Sequence, residues 1–220
     1  MSASSGLRLP GLFVIVAASA VVAGCVSGPP PQSAYYTLAP AVTATTRAKP
    51  LVGTILVNRL SARGLTGGRQ IVFRDRAHPF QVQRYHYRYW ADAPTVLIQD
   101  RLVQSLRQAG IADYVITPAE RAKADWIVSG NLLMFEHHPY ARPPVVVVEL
   151  ELGIVRSKCR EPVFLKRYSV QEPAPNNQIE QAIPAFERAL TRLIDQFLQD
   201  AGRVLEQQVR ADAGTCRATG

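Results

Sequence analysis

The chain has 220 residues, of which 47% are hydrophobic and 19% are charged. This balance excludes a disordered chain, and the length predicts one globular domain with a real core or at most two small ones. The formal net charge of +8 indicates a polyanionic partner. Composition does not distinguish among nucleic acid, an anionic membrane surface and an acidic protein.

The N-terminal segment predicts a lipoprotein signal peptide. Arg8 precedes the uncharged core "LFVIVAASAVVA", which is too short for the roughly 20 residues of a membrane-spanning helix. The segment ends in "VAGC", which resembles the bacterial lipobox and implies cleavage between Gly24 and Cys25 and a lipid on Cys25. Val26 stands where an aspartate would favour inner-membrane retention. The sequence therefore predicts an outer-membrane lipoprotein on the periplasmic face.

The rest of the chain predicts an α/β (α+β) fold. We expect a flexible tether at residues 25–34, a single domain at residues 35–210 and a polar tail at residues 211–220. Strands are predicted in 51–60, "QIVFRD", "FQVQRYHYRYW", "DYVIT", "DWIVSGNLLMFEHH", 145–156 and 162–171, and helices in 95–109 and 178–210. The expected architecture is a mixed or antiparallel sheet of about six to seven strands with two main helices packed on it.

Two local irregularities are expected. In the strand "FQVQRYHYRYW", Phe80 and Val82 share one parity whereas the tyrosines take the other, which predicts a bulge near Gln83 or Arg84. Pro184 is expected in the first turn of the last helix or at a kink. The first helix is expected to start near Asp92 and Pro94 and to end at Gly110.

The stretch "QVQRYHYRYWADAP", residues 81–94, alternates basic residues with tyrosines as a base-stacking surface would. A periplasmic lipoprotein does not meet genomic DNA or cytoplasmic RNA, so we expect no nucleic-acid partner. Residues 59–107 hold nine arginines against three aspartates, and lipid headgroups or an acidic protein remain as polyanions. The candidate surface consists of Arg84, Tyr87, Arg88 and Trp90. Strand alternation explains the same pattern, with Trp90 as a packing anchor.

Motifs for catalysis, cofactors and metals are weak. The loop "RGLTGGRQ" lacks the GK[ST] ending of a phosphate-binding loop. His137 and His138 would point to opposite faces of a strand, and Glu149 and Glu151 share a face with valines around them, as in an ordinary half-exposed strand. We therefore expect a non-enzymatic protein with no cofactor and no metal.

Cysteine usage fits the periplasm, which allows disulfides to form. After acylation of Cys25 the remaining cysteines are Cys159, in a predicted turn, and Cys216, in the polar tail. A disulfide between them is a candidate, although the sequence alone does not bring their backbones together.

Several stretches, taken in order, resemble the ABC-type transport auxiliary lipoproteins, a family that includes the lipoprotein of the paraquat-inducible MCE system. They are the lipobox at Cys25, "YYTLAP", "ILVNRL", "RQIVFRD", "YHYRYWADAP", "ADWIVSGNLLMFEH", "VVVVELELGIVR" and "AIPAFERALTRLIDQFLQD". Asp92 stands where the family usually has glutamate, and the Gly-rich loop after "ILVNRL" is longer than usual.

The resemblance implies a non-enzymatic envelope component that accompanies an ABC ATPase, a permease and a periplasmic MCE-domain protein. Such systems move phospholipids or other hydrophobic molecules between the two membranes. A homo-oligomer, such as a ring that matches an MCE assembly, is compatible with this role. The alternative is a periplasmic lipoprotein that itself binds a hydrophobic ligand or acts in envelope assembly, which predicts an apolar cavity between sheet and helices.

Overall fold

The computed structural model describes residues 31–38 and 47–211. The chain divides into a unit of residues 1–32 and a unit of residues 33–220, and every element described below lies in the second. The strands are β1 (Ala34–Tyr36), β2 (Val52–Val57), β3 (Ser61–Ala62), β4 (Gln70–Arg74), β5 (Val82–Trp90), β6 (Ala112–Ile116), β7 (Trp126–His138), β8 (Val145–Arg156) and β9 (Glu161–Pro173). The helices are α1 (Pro94–Ala109) and α2 (Ile179–Ala211). The predicted signal peptide, Cys25 and residues 212–220 of the tail lie outside the described residues.

The sheet is organised around β7. One edge of β7 pairs with β8 in antiparallel register, and the other edge pairs in succession with β2, β3 and β4 in parallel register. The sheet then continues from β8 to β9, from β2 to β6, and from β4 through β5 to β1. This mixed sheet confirms the predicted fold class. It has more strands than expected because β1 and β3, with three and two residues, are too short to give a sequence signal.

The two helices cover one face of the sheet and bury the core against it. The largest fully buried side chains include Trp90 of β5, Phe135 of β7 and Phe186 of α2. Their ring centroids lie 4.7–5.2 Å apart, so sheet and helix interlock through one aromatic cluster. None of the helices within the described ranges combines the length and the apolarity that crossing a bilayer requires.

The helix ends follow the sequence signals in part. Pro94 occupies the first turn of α1, and Gly110 closes the helix with φ 62°, a left-handed conformation that suits glycine. The residue at the N-cap is Ala93, not Asp92, and no side chain caps this end. Pro184 lies inside α2 beyond the first turn. The first-turn position is therefore wrong, and the alternative of a kink at Pro184 stays a prediction.

The strand β5 differs from the prediction in two respects: where it begins and where its bulge lies. It begins at Val82, and Phe80 lies outside it in the preceding loop with 97% of its surface exposed. The register against β4 shifts between Arg84 and Tyr89, and Tyr87 has φ 58°. The bulge is thus confirmed, but it lies a few residues further along than expected.

We predict that Trp90→Ala lowers the free energy of unfolding by about 3–5 kcal/mol, the usual range for removing a fully buried large aromatic ring. Chemical denaturation of the variant and the parent chain measures the difference. Tyr114→Ala, at a largely exposed position on β6, serves as the control. It should change stability by less than about 1 kcal/mol, the span of strand propensities. Equal losses in the two variants would contradict the central position of the aromatic cluster.

Candidate functional site

The edge formed by β1 and β5 carries an aromatic and basic surface. We call it the β5 surface and define it by the side chains of Tyr35, Arg69, Arg84, Tyr87 and Tyr89. The rings of Tyr35 and Tyr89 stack with centroids 5.5 Å apart, and the Arg69 guanidinium lies 5.5 Å from the Tyr35 ring. Arg69 is held there because it also donates hydrogen bonds to the carbonyl oxygens of Trp90 and Ala91. The stack is therefore fixed before any partner binds.

The four residues of the predicted surface differ in exposure and in their contacts. Arg84 and Tyr87 are exposed, and Arg84 forms no hydrogen bond or ion pair with another described residue. Arg88 is half-buried and donates to Glu180 at 2.8 Å. Trp90 is fully buried, so its expected surface role is wrong and the packing-anchor interpretation is confirmed. Only Arg84 and Tyr87 remain available to a partner as predicted.

Arg88 instead ties the sheet edge to the start of α2. The carboxylate of Glu180, in the first turn of α2, accepts hydrogen bonds from Arg88 and from the hydroxyl of Tyr36. Its own backbone N–H, followed by these two donors, holds the pKa of Glu180 below the usual value, against the opposing effect of burial. The ion pair therefore positions the edge strand β1 and the bulged part of β5 against the helix.

The histidines and glutamates of the sheet contact other side chains of the sheet. His137 is fully buried with Nδ1 2.8 Å from the Tyr85 hydroxyl, whereas His138 lies on the other face 3.2 Å from Glu136. This confirms that the two imidazoles point apart. Glu149 binds Arg167 on β9, and no group of three or more His, Cys, Asp or Glu side chains within the described ranges is placed to hold a metal ion.

Glu151 completes the same pattern. Its carboxylate accepts a hydrogen bond of 3.0 Å from the side-chain amide of Asn131 on β7. The two glutamates of β8 therefore bind side chains on different neighbouring strands, Glu149 on β9 and Glu151 on β7. Cross-strand contacts of this kind stabilise the sheet and give no convergent acid–base pair.

A cleft of about 780 Å³ opens where β7 begins and β8 ends. The Arg156 guanidinium lies 5.0 Å from the Trp126 ring and donates to Gln208 of α2 at 2.6 Å. Lys123 and Lys158 also line this cleft, which we call the Trp126 cleft. Sequence reasoning missed it because its lining comes from β2, from the chain before β7 and after β8, and from the end of α2, which are far apart in the sequence.

Cys159 lies in the turn between β8 and β9 and is disulfide-bonded. The two other cysteines, Cys25 and Cys216, both lie outside the described residues. Pairing of Cys159 with Cys216 therefore stays a prediction.

The fold and this site define a mixed α/β domain with exposed aromatic and basic side chains on one sheet edge. The family model for the ABC-type transport auxiliary lipoprotein component matches residues 36–197. The chain therefore belongs to this family, whose members are lipoproteins associated with ABC transport systems. This confirms the resemblance inferred from the sequence and identifies a membrane-anchored protein of the cell envelope.

Solved structures share the fold, among them the following two. A Xanthomonas campestris protein of the DUF330 family is 22% identical, covers 81% of this chain and 99% of its own, and superposes with a TM-score of 0.72. An uncharacterised protein is 10% identical, covers 78% of this chain and 99% of its own, and gives a TM-score of 0.60. No curated protein matches the chain. At these identities the likeness concerns the fold alone.

We predict that His137 makes stability depend on pH. Burial lowers the pKa of His137 to about 4, against about 6.5 in an unfolded chain. Between these values the unfolded state binds a proton that the folded state refuses, so stability falls as pH drops from about 6.5 to about 4. The loss reaches about 3 kcal/mol for this shift. Denaturation of the parent chain and His137→Gln from neutral pH down to about 4 should give a shallower slope for the variant, and parallel slopes would contradict it.

Proposed function

We propose that the chain is a non-catalytic, lipid-anchored component of an MCE/ABC system that transports phospholipid or other hydrophobic molecules between the inner and outer membranes. It is anchored by Cys25 in the periplasmic face of the outer membrane and docks the periplasmic MCE-domain protein there. Through that protein it serves the ABC permease and ATPase. The match of residues 36–197 to the auxiliary lipoprotein family is the observation that carries this proposal.

The β5 surface is the docking site in this proposal. Tyrosine and arginine are enriched at the centres of protein interfaces because they offer large contact areas and directional hydrogen bonds. Tyr35 is 60% exposed and is held by its stack on Tyr89, so little side-chain entropy is lost when a partner covers it. The unpaired charge of Arg84 suits an acidic partner surface.

A non-catalytic role fits the state of the polar side chains. The buried carboxylates each face a cation: Glu136 binds Arg74, Glu172 binds Arg192, and Asp200 binds Lys166. Paired charges of this kind fix strands and helices in place, whereas a catalytic site requires polar groups that converge on a space for substrate.

The alternative function, binding a hydrophobic ligand, has less support. It predicts an apolar cavity between the sheet and the helices, but the core residues that line this layer pack against one another, with Trp90, Phe135 and Phe186 in mutual contact. The Trp126 cleft is the place where such a ligand would bind, and three cations line it. A role in envelope assembly does not predict any particular arrangement of these residues.

We predict that Arg84→Glu in the full lipidated chain lowers co-purification of the MCE-domain protein from membrane extracts by at least about tenfold, because like charges facing each other across an interface cost several kcal/mol. Arg63→Glu is the matched control, since Arg63 is also exposed but lies in the loop after β3. Bound proteins and lipids are identified by mass spectrometry.

Two outcomes would contradict the proposal. One is equal capture of the MCE protein by the two variants, which would show that the β5 surface is not part of the interface. The other is recovery of lipid with the parent chain in the absence of any MCE protein, which would favour the ligand-binding alternative.

A further inference from the structure

Two loops meet at one end of the sheet, next to a small cavity. β4 and β7 are parallel, so the loop of residues 75–81 after β4 and the loop of residues 139–144 after β7 leave the sheet at the same end. A cavity of about 380 Å³ lies between them, lined by Arg74, Arg76 and Arg142 among others. We call these two segments the loop pair.

The outward charge of the loop pair is positive. Arg76 and Arg142 are exposed, and neither forms a hydrogen bond or ion pair with another described residue. The nearby acidic groups are already engaged. Asp75 accepts a hydrogen bond from the backbone N–H of Ala77 at 2.9 Å, and its other carboxylate oxygen lies 3.5 Å from His78.

The second acidic group is Glu136, which is buried behind the loop pair. Arg74 binds it through two hydrogen bonds of 2.9 Å each, and His138 lies 3.2 Å away. Burial alone would raise the pKa of Glu136, but the hydrogen bonds from His138 and Arg74 outweigh it and lower the pKa. Arg74 is therefore occupied from within, and Arg76 and Arg142 remain as the arginines that an anion can reach.

Each loop also exposes one aromatic side chain. Phe80 is 97% exposed and Tyr140 is 54% exposed. A phenylalanine held in water gains nothing from the fold, whereas it gains by entering the boundary between headgroups and acyl chains. Aromatic rings beside arginines are typical of surfaces that lie on anionic membranes.

The start of β1 faces the end of β5 to which the loop of residues 75–81 connects. β1 runs parallel to β5, with Ala34 opposite Arg88 and Tyr36 opposite Trp90. The chain therefore enters β1 from the end of β5 that follows the loop of residues 75–81. Eight residues lie between Cys25 and Ala34, and an extended segment that covers these nine residue steps spans at most about 30 Å. A lipid on Cys25 would keep the bilayer within that distance of Ala34.

We infer that the loop pair docks on a membrane surface rich in anionic phospholipid. Arg76 and Arg142 bind headgroup phosphates at the cavity between the loops, and the rings of Phe80 and Tyr140 enter the interface. The orientation of the domain towards the bilayer rests on the lipid anchor of the proposed function, whereas the affinity of the loop pair for headgroups does not. The docked loops would hold the domain in one orientation on a membrane to which it is already tethered.

The test uses the mature chain, residues 25–220, with Cys25→Ser so that no lipid is attached. Its partition onto vesicles of phosphatidylglycerol and of phosphatidylcholine is measured by sedimentation at low and high salt. We expect binding to the anionic vesicles that weakens with salt. Arg76→Gln and Arg142→Gln should each lower partition roughly fivefold, the usual effect of one basic residue near an anionic surface.

The matched control is the double variant Arg121→Gln, Lys123→Gln, which removes two cations beside the start of β7, at the other end of that strand. It should partition several-fold better than the double variant Arg76→Gln, Arg142→Gln. Phe80→Ser with Tyr140→Ser should lower binding to anionic vesicles without changing thermal unfolding, because both rings are exposed.

Absence of binding to phosphatidylglycerol vesicles, or equal losses in the two charge variants, would overturn the inference. Either result would favour an acidic protein, in place of a membrane, as the partner that binds the loop pair. The assay contains no lipid anchor and no partner protein, so its failure would leave the docking of an MCE protein untouched. Conversely, the vesicle assay measures binding by the loop pair, so its result does not depend on whether the Arg84→Glu variant captures the MCE protein.

Discussion

The structure depends on the hydrogen bonding of one long strand, β7. Its antiparallel partner β8 runs along one edge, while three short parallel strands, β2, β3 and β4, share the other edge. A backbone buried on both edges must have its N–H and C=O groups paired, so β7 requires all four of these strands as partners. Beyond this junction the sheet divides, with β6 on one branch and β5 with β1 on the other.

The division of the sheet creates the surfaces on which a function can be built. α2 covers β8 and β9, and the Trp90, Phe135 and Phe186 cluster locks the β5 branch under the same helix. Arg88 and Glu180 reinforce that contact at the edge. Among residues 31–38 and 47–211 the core side chains pack together and the buried carboxylates face cations, so the candidate binding features described above lie at the exterior: the β5 surface, the loop pair and the Trp126 cleft.

Periodicity predicted the long elements well, since apolar spacing is strongest where an element packs on the core along its length. α1, β7 and β8 appear close to their expected bounds, and the parity slip in β5 correctly indicated a bulge. Strand alternation alone did not show that Trp90 faces inward, because the bulge at Tyr87 reverses the alternation, whereas the interpretation of Trp90 as a packing anchor is confirmed. It also assigned Phe80 to a strand. A hydrophobic residue after "RAHP" reads as a strand start by composition, and only the pairing of β4 with β5 shows that it lies in an exposed loop.

We propose that one small domain has a membrane side and a partner side, and in-cell photo-crosslinking tests this most directly. A photo-reactive residue is placed in the full lipidated chain either at Tyr35, on the β5 surface, or at Phe80, at the tip of the loop pair. Both sites are well exposed, so either reports on what lies against it. We expect the residue at Tyr35 to crosslink to the MCE-domain protein and the residue at Phe80 to crosslink to phospholipid. An MCE crosslink from Phe80 with none from Tyr35, or no MCE crosslink from either site, would contradict it.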